Sequence, residues 1–89
     1  MQAITTKYIP ATNFRGSRIK ASCQAGSIIL HWDDSMNSEN NHRNAAMQLA
    51  GKLGWHGQWY GGGMPDGKGD VFVCADSHFS SSFNIPKVA

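Results

Sequence analysis

The segment from Asn37 to Leu53 repeats its apolar residues on a helical period, in a chain that otherwise reads as short strands. Ala45, Ala46, Leu49, Ala50 and Leu53 recur at spacings of three and four, which sets them in one stripe with Met47 beside it. Asn40, Asn41, Arg43, Asn44, Gln48 and Lys52 fill the opposite side. Asn37 or Ser38 supplies an N-cap, and Glu39 places an acid in the first turn, where it complements the helix dipole. Gly54 stands where a left-handed residue closes a helix, and Trp55 follows it as the apolar contact of such a cap. The stripe is mostly alanine, so the helix can approach a sheet closely. One helix with strand-like sequence on both sides constrains the fold to the α+β class. It predicts a single helix packed on one face of an antiparallel sheet.

The strands follow from β-branched content and alternation. Gln2 to Ile9 is rich in β-branched and aromatic residues, and Pro10 ends it because proline cannot donate to a ladder. Residues 10–16 form a loop. From Ser17 to Cys23, Ile19, Ala21 and Cys23 point one way while Arg18, Lys20 and Ser22 point the other. Gln24, Ala25 and Gly26 make a turn short enough to force an antiparallel hairpin with Ser27 to Trp32. Beyond the helix, Gly57 to Tyr60 reads as a short strand, Gly61 to Gly69 as a flexible hairpin loop, and Asp70 to Ala75 as a last strand. The expected order is βββαββ, in one domain over residues 1–76. Residues 77–89 are serine-rich and without periodicity. They are expected to form a flexible C-terminal tail unless Phe79, Phe83 or Ile85 docks.

Composition narrows the function classes. A chain of 89 residues is one domain. Its net charge of +2, with 16% of residues charged, is too weak to imply nucleic acid or membrane alone and excludes an acidic DNA mimic. The two cysteines, Cys23 and Cys74, read as small buried hydrophobes of a reducing compartment, and a disulfide requires that their strands be neighbours. Met1 to Tyr8 lacks the apolar core of a signal peptide, and no run approaches the roughly 18 apolar residues of a membrane span. The expected location is cytoplasmic.

Motifs that carry chemistry are weak. Gly62, Gly67 and Lys68 fit the spacing of a phosphate loop, but Gly69 stands where Ser or Thr is needed and a strand follows where a helix must open. His31, His42, His56 and His78 match no ligand spacing with the cysteines, so no metal or other cofactor is expected and these are read as surface or half-buried residues. The acids are scattered through turns apart from Asp33 and Asp34, which cap the helix lead-in, and no enzyme is expected. The basic run from Arg15 to Lys20 is more informative. If the helix covers the Ile19 and Ile28 face, the other face carries Arg18, Lys20, Ile29, His31 and Phe72 into solvent. Bases mixed with aromatics on an open sheet suit single-stranded nucleic acid, and the plain alternatives are a solvated sheet face or a protein-binding one. Of the tryptophans, Trp32 is placed in the core and Trp59 outside it.

The stretches Ile4 to Tyr8, Ala11 to Asn13 and Arg15 to Ala21 resemble a group of small uncharacterised proteins encoded on phages, plasmids and integrative elements of proteobacteria. The resemblance continues through Asn41, His42, Ala45, Ala46 and the run Lys52 to Trp55, and ends with Gly61 to Gly63 and Val71 to Val73. It transfers no catalytic residue. It implies a non-enzymatic binding protein of a mobile element, anti-CRISPR-like, that inhibits a host defence complex by occupying a functional surface. The alternative is a small nucleic-acid-binding module using the open basic face. The partner would be a host protein or ribonucleoprotein complex, or DNA or RNA, with the chain a monomer or homodimer. The expected partner-binding residues are Arg15, Arg18, Lys20, Trp59, Tyr60, Met64, Asp66 and Lys68, and the nucleic-acid alternative rests on the open face with Arg18 and Lys20.

Overall fold

A computed structural model describes residues 2–75 and 84–86. Three strands come first: β1 (Ile4–Ile9), β2 (Arg18–Cys23) and β3 (Gly26–His31). Helix α1 (Ser38–Lys52) follows, then β4 (Trp59–Gly63) and β5 (Gly69–Cys74). All neighbours are antiparallel, in the sheet order β3-β2-β1-β5-β4. The α+β architecture and the βββαββ order are those the sequence predicts. The expected tail lies mostly outside the described residues; Ile85, within them, is 77% exposed.

Register divides the side chains between two faces. Ile4, Thr6 and Tyr8 of β1 stand opposite Phe72, Asp70, Ala21 and Ile19, and all face the helix. Ile4, Ile19, Ala21, Ala45, Leu49 and Phe72 form the buried centre, with Trp32, Trp55 and Trp59 half-buried around it. Phe72 is therefore on the helix face and not on the open one. The one-residue offset puts Val71 and Val73 outside instead, since a strand alternates faces at every residue.

The helix ends are built from the residues foreseen. Asn37 is the N-cap, its side chain accepting from the Asn40 amide at 2.8 Å. Gly54 adopts φ +72°, the Trp55 amide bonds the Ala50 carbonyl at 2.9 Å and the Gly54 amide bonds Gly51 at 3.1 Å. That pair of bonds satisfies carbonyls the last turn leaves free.

Asn41 is not on the polar side of α1. It is 2% exposed, its Oδ1 accepts from the Asp33 amide at 2.9 Å, and its Nδ2 donates to the carbonyls of Asp33, Met36 and Asn37. It thus supplies partners to the Asp33 amide and the Met36 carbonyl, and adds a second bond to the Asp33 and Asn37 carbonyls, which the amides of Met36 and Asn41 already reach. Asp33 in turn accepts from the hydroxyl and amide of Ser35, which hold its carboxyl below the ordinary carboxylate range.

Gly61, Gly62 and Gly63 belong to β4, and Gly69 to β5, so the hairpin loop shortens to residues 64–68. Glycine disfavours strands, but here close approach requires it. A Cβ on Gly61 would overlap the Phe72 ring, and one on Gly69 would overlap the Thr6 carbonyl oxygen of the neighbouring strand. The β4 strand begins two residues later than expected, and β3 ends at His31; Trp32 continues it only by an amide bond to Ser17 O at 3.0 Å.

Candidate nucleic-acid interface

The helix lies over β1, β2 and β3 and reaches β5, so the opposite sheet face stays open. Register sets out that open face in rows. Ile9, Arg18 and His31 form one row; Lys7, Lys20 and Ile29 form the next. Thr5, Ser22 and Ser27 follow, with Val71 on the far side of β1. Lys7 and Lys20 are both exposed and directly opposite each other. Like charges so placed repel and destabilise the pair. Among the described residues neither lysine nor Arg18 forms an ion pair, and the carboxylate of the adjoining β5, Asp70, faces the helix side. Arg18 adds a buried Nε without a hydrogen-bond partner. The row end is extended by the β1–β2 loop, where Phe14 is 96% exposed and Arg15 is beside it. The Thr12 hydroxyl accepts from the amides of Phe14 and Arg15 at 3.3 and 3.1 Å, which shapes this tip.

The contact residues expected from sequence fall into two groups. Arg18 and Lys20 stand on the open face, joined by Lys7, which the sequence reading missed, while Arg15 and the exposed Phe14 lie in the β1–β2 loop that follows the Ile9–Arg18 row. Lys7 was legible in principle, since alternation from Thr5 puts it on the same face as Lys20 once β1 and β2 pair. Tyr60 shares the open face, 62% exposed, but on β4. Three strand positions separate β4 from β2, about 14 Å. Met64, Asp66 and Lys68 occupy the β4–β5 turn, where the Gly67 amide bonds Met64 O at 2.9 Å and the Lys68 amide bonds Asp66 Oδ1 at 2.9 Å. Strand β5 follows this turn, so the phosphate-loop spacing is a hairpin. Trp59 is on the helix side, half-buried and stacked on Trp55 with ring centroids 6.1 Å apart, so it is not the exposed tryptophan. Its partner is the residue that closes the helix, which draws it inward.

Beneath the helix, His42 is 6% exposed, more deeply buried than the surface or half-buried position its sequence suggested. Its Nδ1 is 2.7 Å from the Thr6 hydroxyl and 3.9 Å from Asp70 Oδ2, and its ring meets Trp32 edge-on at 6.0 Å. The Thr6 hydroxyl is also 3.5 Å from the Asp70 carbonyl, so with its proton directed there the imidazole donates from Nδ1. This contact ties β1, α1 and β5 at one point, and it borders a cleft of about 470 Å³ lined also by Tyr8, Trp32, Ser38 and Lys68. Thr6→Val should cost about 1–3 kcal/mol, because it leaves a buried ring nitrogen unpaired. Thr5→Val, on the open face, should be near neutral. Urea denaturation of both variants checks this; equal effects would mean the His42 contact carries no weight.

Among the described residues no three His, Cys, Asp or Glu side chains converge as a metal site would need. Cys23 and Cys74 lie on β2 and β5, which β1 separates, and both are free thiols. No described helix is long and apolar enough to cross a membrane. Comparison with family models, with characterised proteins and with solved structures yields no match to this chain.

Proposed function

We propose that this chain is a small non-catalytic binding protein whose open sheet face takes a strand of nucleic acid. The observation that carries this reading is Lys7 directly opposite Lys20, beside Arg18, with no described carboxylate paired to any of them. Phosphates would relieve that repulsion, and the exposed Phe14 ring offers a base a stacking surface. An open face of this kind suits a single strand, whose bases are free to stack, better than a duplex.

The resemblance to mobile-element proteins supplies the biological role. On this reading the chain works in the cytoplasm of a bacterial host, where it inhibits a defence ribonucleoprotein by occupying a surface that carries nucleic acid.

The test is fluorescence anisotropy of the full chain with a short labelled single strand, DNA and RNA, across a salt series. The logarithm of affinity should fall with the logarithm of salt by about 0.7 per phosphate contacted. Replacing Lys7, Arg18 and Lys20 together with alanine should weaken binding roughly 10- to 100-fold and flatten that slope by about 2. Affinity unchanged by the triple replacement would rule the face out. In cells with an active defence system, the native chain should protect incoming phage or plasmid DNA and the triple variant should not. Equal protection by both would separate the inhibitor role from this face.

A further inference from the structure

Among the described residues, strand β4 is an edge of the sheet, and its outer backbone groups have no partner there. The Met64 amide bonds Gly69 O at 2.8 Å, and the Ala75 amide bonds Gln58 O at 2.6 Å. Hydrogen-bonded pairs alternate along an antiparallel ladder, so even-numbered residues from Gln58 to Met64 turn their backbone groups toward β5. The groups of Trp59, Gly61 and Gly63 therefore point outward.

Natural edges are blunted by charge, proline or bulges. Here Trp59–Gly63 carries no charge and no proline, so two copies would meet without repulsion along it. The strand is also complementary to itself. Turned about a two-fold axis at Gly61, Trp59 meets Gly63 of the other copy, and Tyr60 meets Gly62. Large aromatics would then cover glycines whose Cβ positions look into open space, as nothing lies within 4 Å of Gly62 or Gly63. The fold already uses this pairing once, with the Phe72 ring over Gly61. In the same register the three residues whose outer backbone groups have no partner among the described residues face one another.

We infer that two copies of this chain join antiparallel along β4 about Gly61, into one continuous ten-stranded sheet. This interface does not depend on what the open face binds. A stable dimer buries about 800 Å² per partner, which a five-residue ladder does not reach alone. Tyr60 at 62% exposure and Val73 at 37% add apolar area beside it. The expected dissociation constant is of micromolar order.

Light scattering on the full chain over rising concentration should show the mass move from 9.7 kDa toward twice that value. Gly63→Pro removes one outward amide at an edge position that tolerates proline, and should hold the chain monomeric while its circular dichroism stays native. Register is read by mixing Tyr60→Cys protein with Gly62→Cys protein under mild oxidation. The mixture should form a disulfide-linked heterodimer, because these positions stand directly opposite across the axis. Neither variant should crosslink efficiently with itself, being about 7–8 Å apart on the diagonal. A chain monomeric up to millimolar concentration overturns the proposal. So does a dimer that survives Gly63→Pro or fails to give the mixed crosslink, because its interface would then be elsewhere.

Discussion

Asn41→Ala should lower the unfolding free energy by about 3–4 kcal/mol, a large share of what a domain of this size commands. The side chain serves one amide and three carbonyls of the 33–37 segment at distances of 2.9 to 3.2 Å. Alanine cannot replace any of them, and water reaches the site poorly because Asn41 is 2% exposed. The Asp33 and Asn37 carbonyls keep the amides of Met36 and Asn41, but the Asp33 amide and the Met36 carbonyl lose their partner, which loosens the entry to the first helical turn. Asn37→Ala is the comparison. It removes only the cap bond to Asn40, worth about 1 kcal/mol. Urea midpoints of the two variants decide the matter. An Asn41→Ala cost no larger than that of Asn37→Ala would show that the lead-in holds itself.

The second large effect is expected at Gly69. A Cβ there would overlap the carbonyl oxygen of Thr6, which belongs to the backbone of β1 and cannot rotate away. The joint between β1 and β5 is the centre of the sheet, so the strands would have to separate locally. Gly69→Ala should cost about 3 kcal/mol, at the upper end of overpacking costs. Gly61→Ala should cost less, since its obstacle is the Phe72 ring, a side chain able to shift. Gly62→Ala should be neutral in the monomer, having only open space around it. Thermal melts of the three variants at low concentration test the ranking, and a neutral Gly69→Ala would mean that β1 and β5 are not so closely apposed.

Asn41 and the glycine run of β4 mark where sequence reading stopped. Asn41 looked like one more polar residue on the exposed side of an amphipathic helix, because helical periodicity records hydrophobicity and is blind to what a loop needs. Its burial is set by the Asp33 amide and the Met36 carbonyl, whose need for a partner becomes visible only when the loop is in place. The run Gly61 to Gly63 looked like part of a flexible hairpin loop, because glycine is permissive in isolation. Pairing with β5 and the ring of Phe72 turned it into strand.

Local signals determined a great deal. Alternation through Arg18, Ile19, Lys20 and Ala21, the short turn after Cys23, and the Asn37 and Gly54 caps each depend on chain geometry over a few residues. They were sufficient for the α+β class and the βββαββ order. They also put Arg18 and Lys20 together on one sheet face. What they could not supply was the order of strands in space, which depends on contacts between residues far apart in the chain. That order inserted β1 between β2 and β5, which set Lys7 against Lys20, turned Phe72 inward, kept Cys23 from Cys74 and left β4 at the edge. Backbone pairing is the same for every sequence, so partner choice is decided by which faces bury apolar area together. Only the tertiary structure adds up that area.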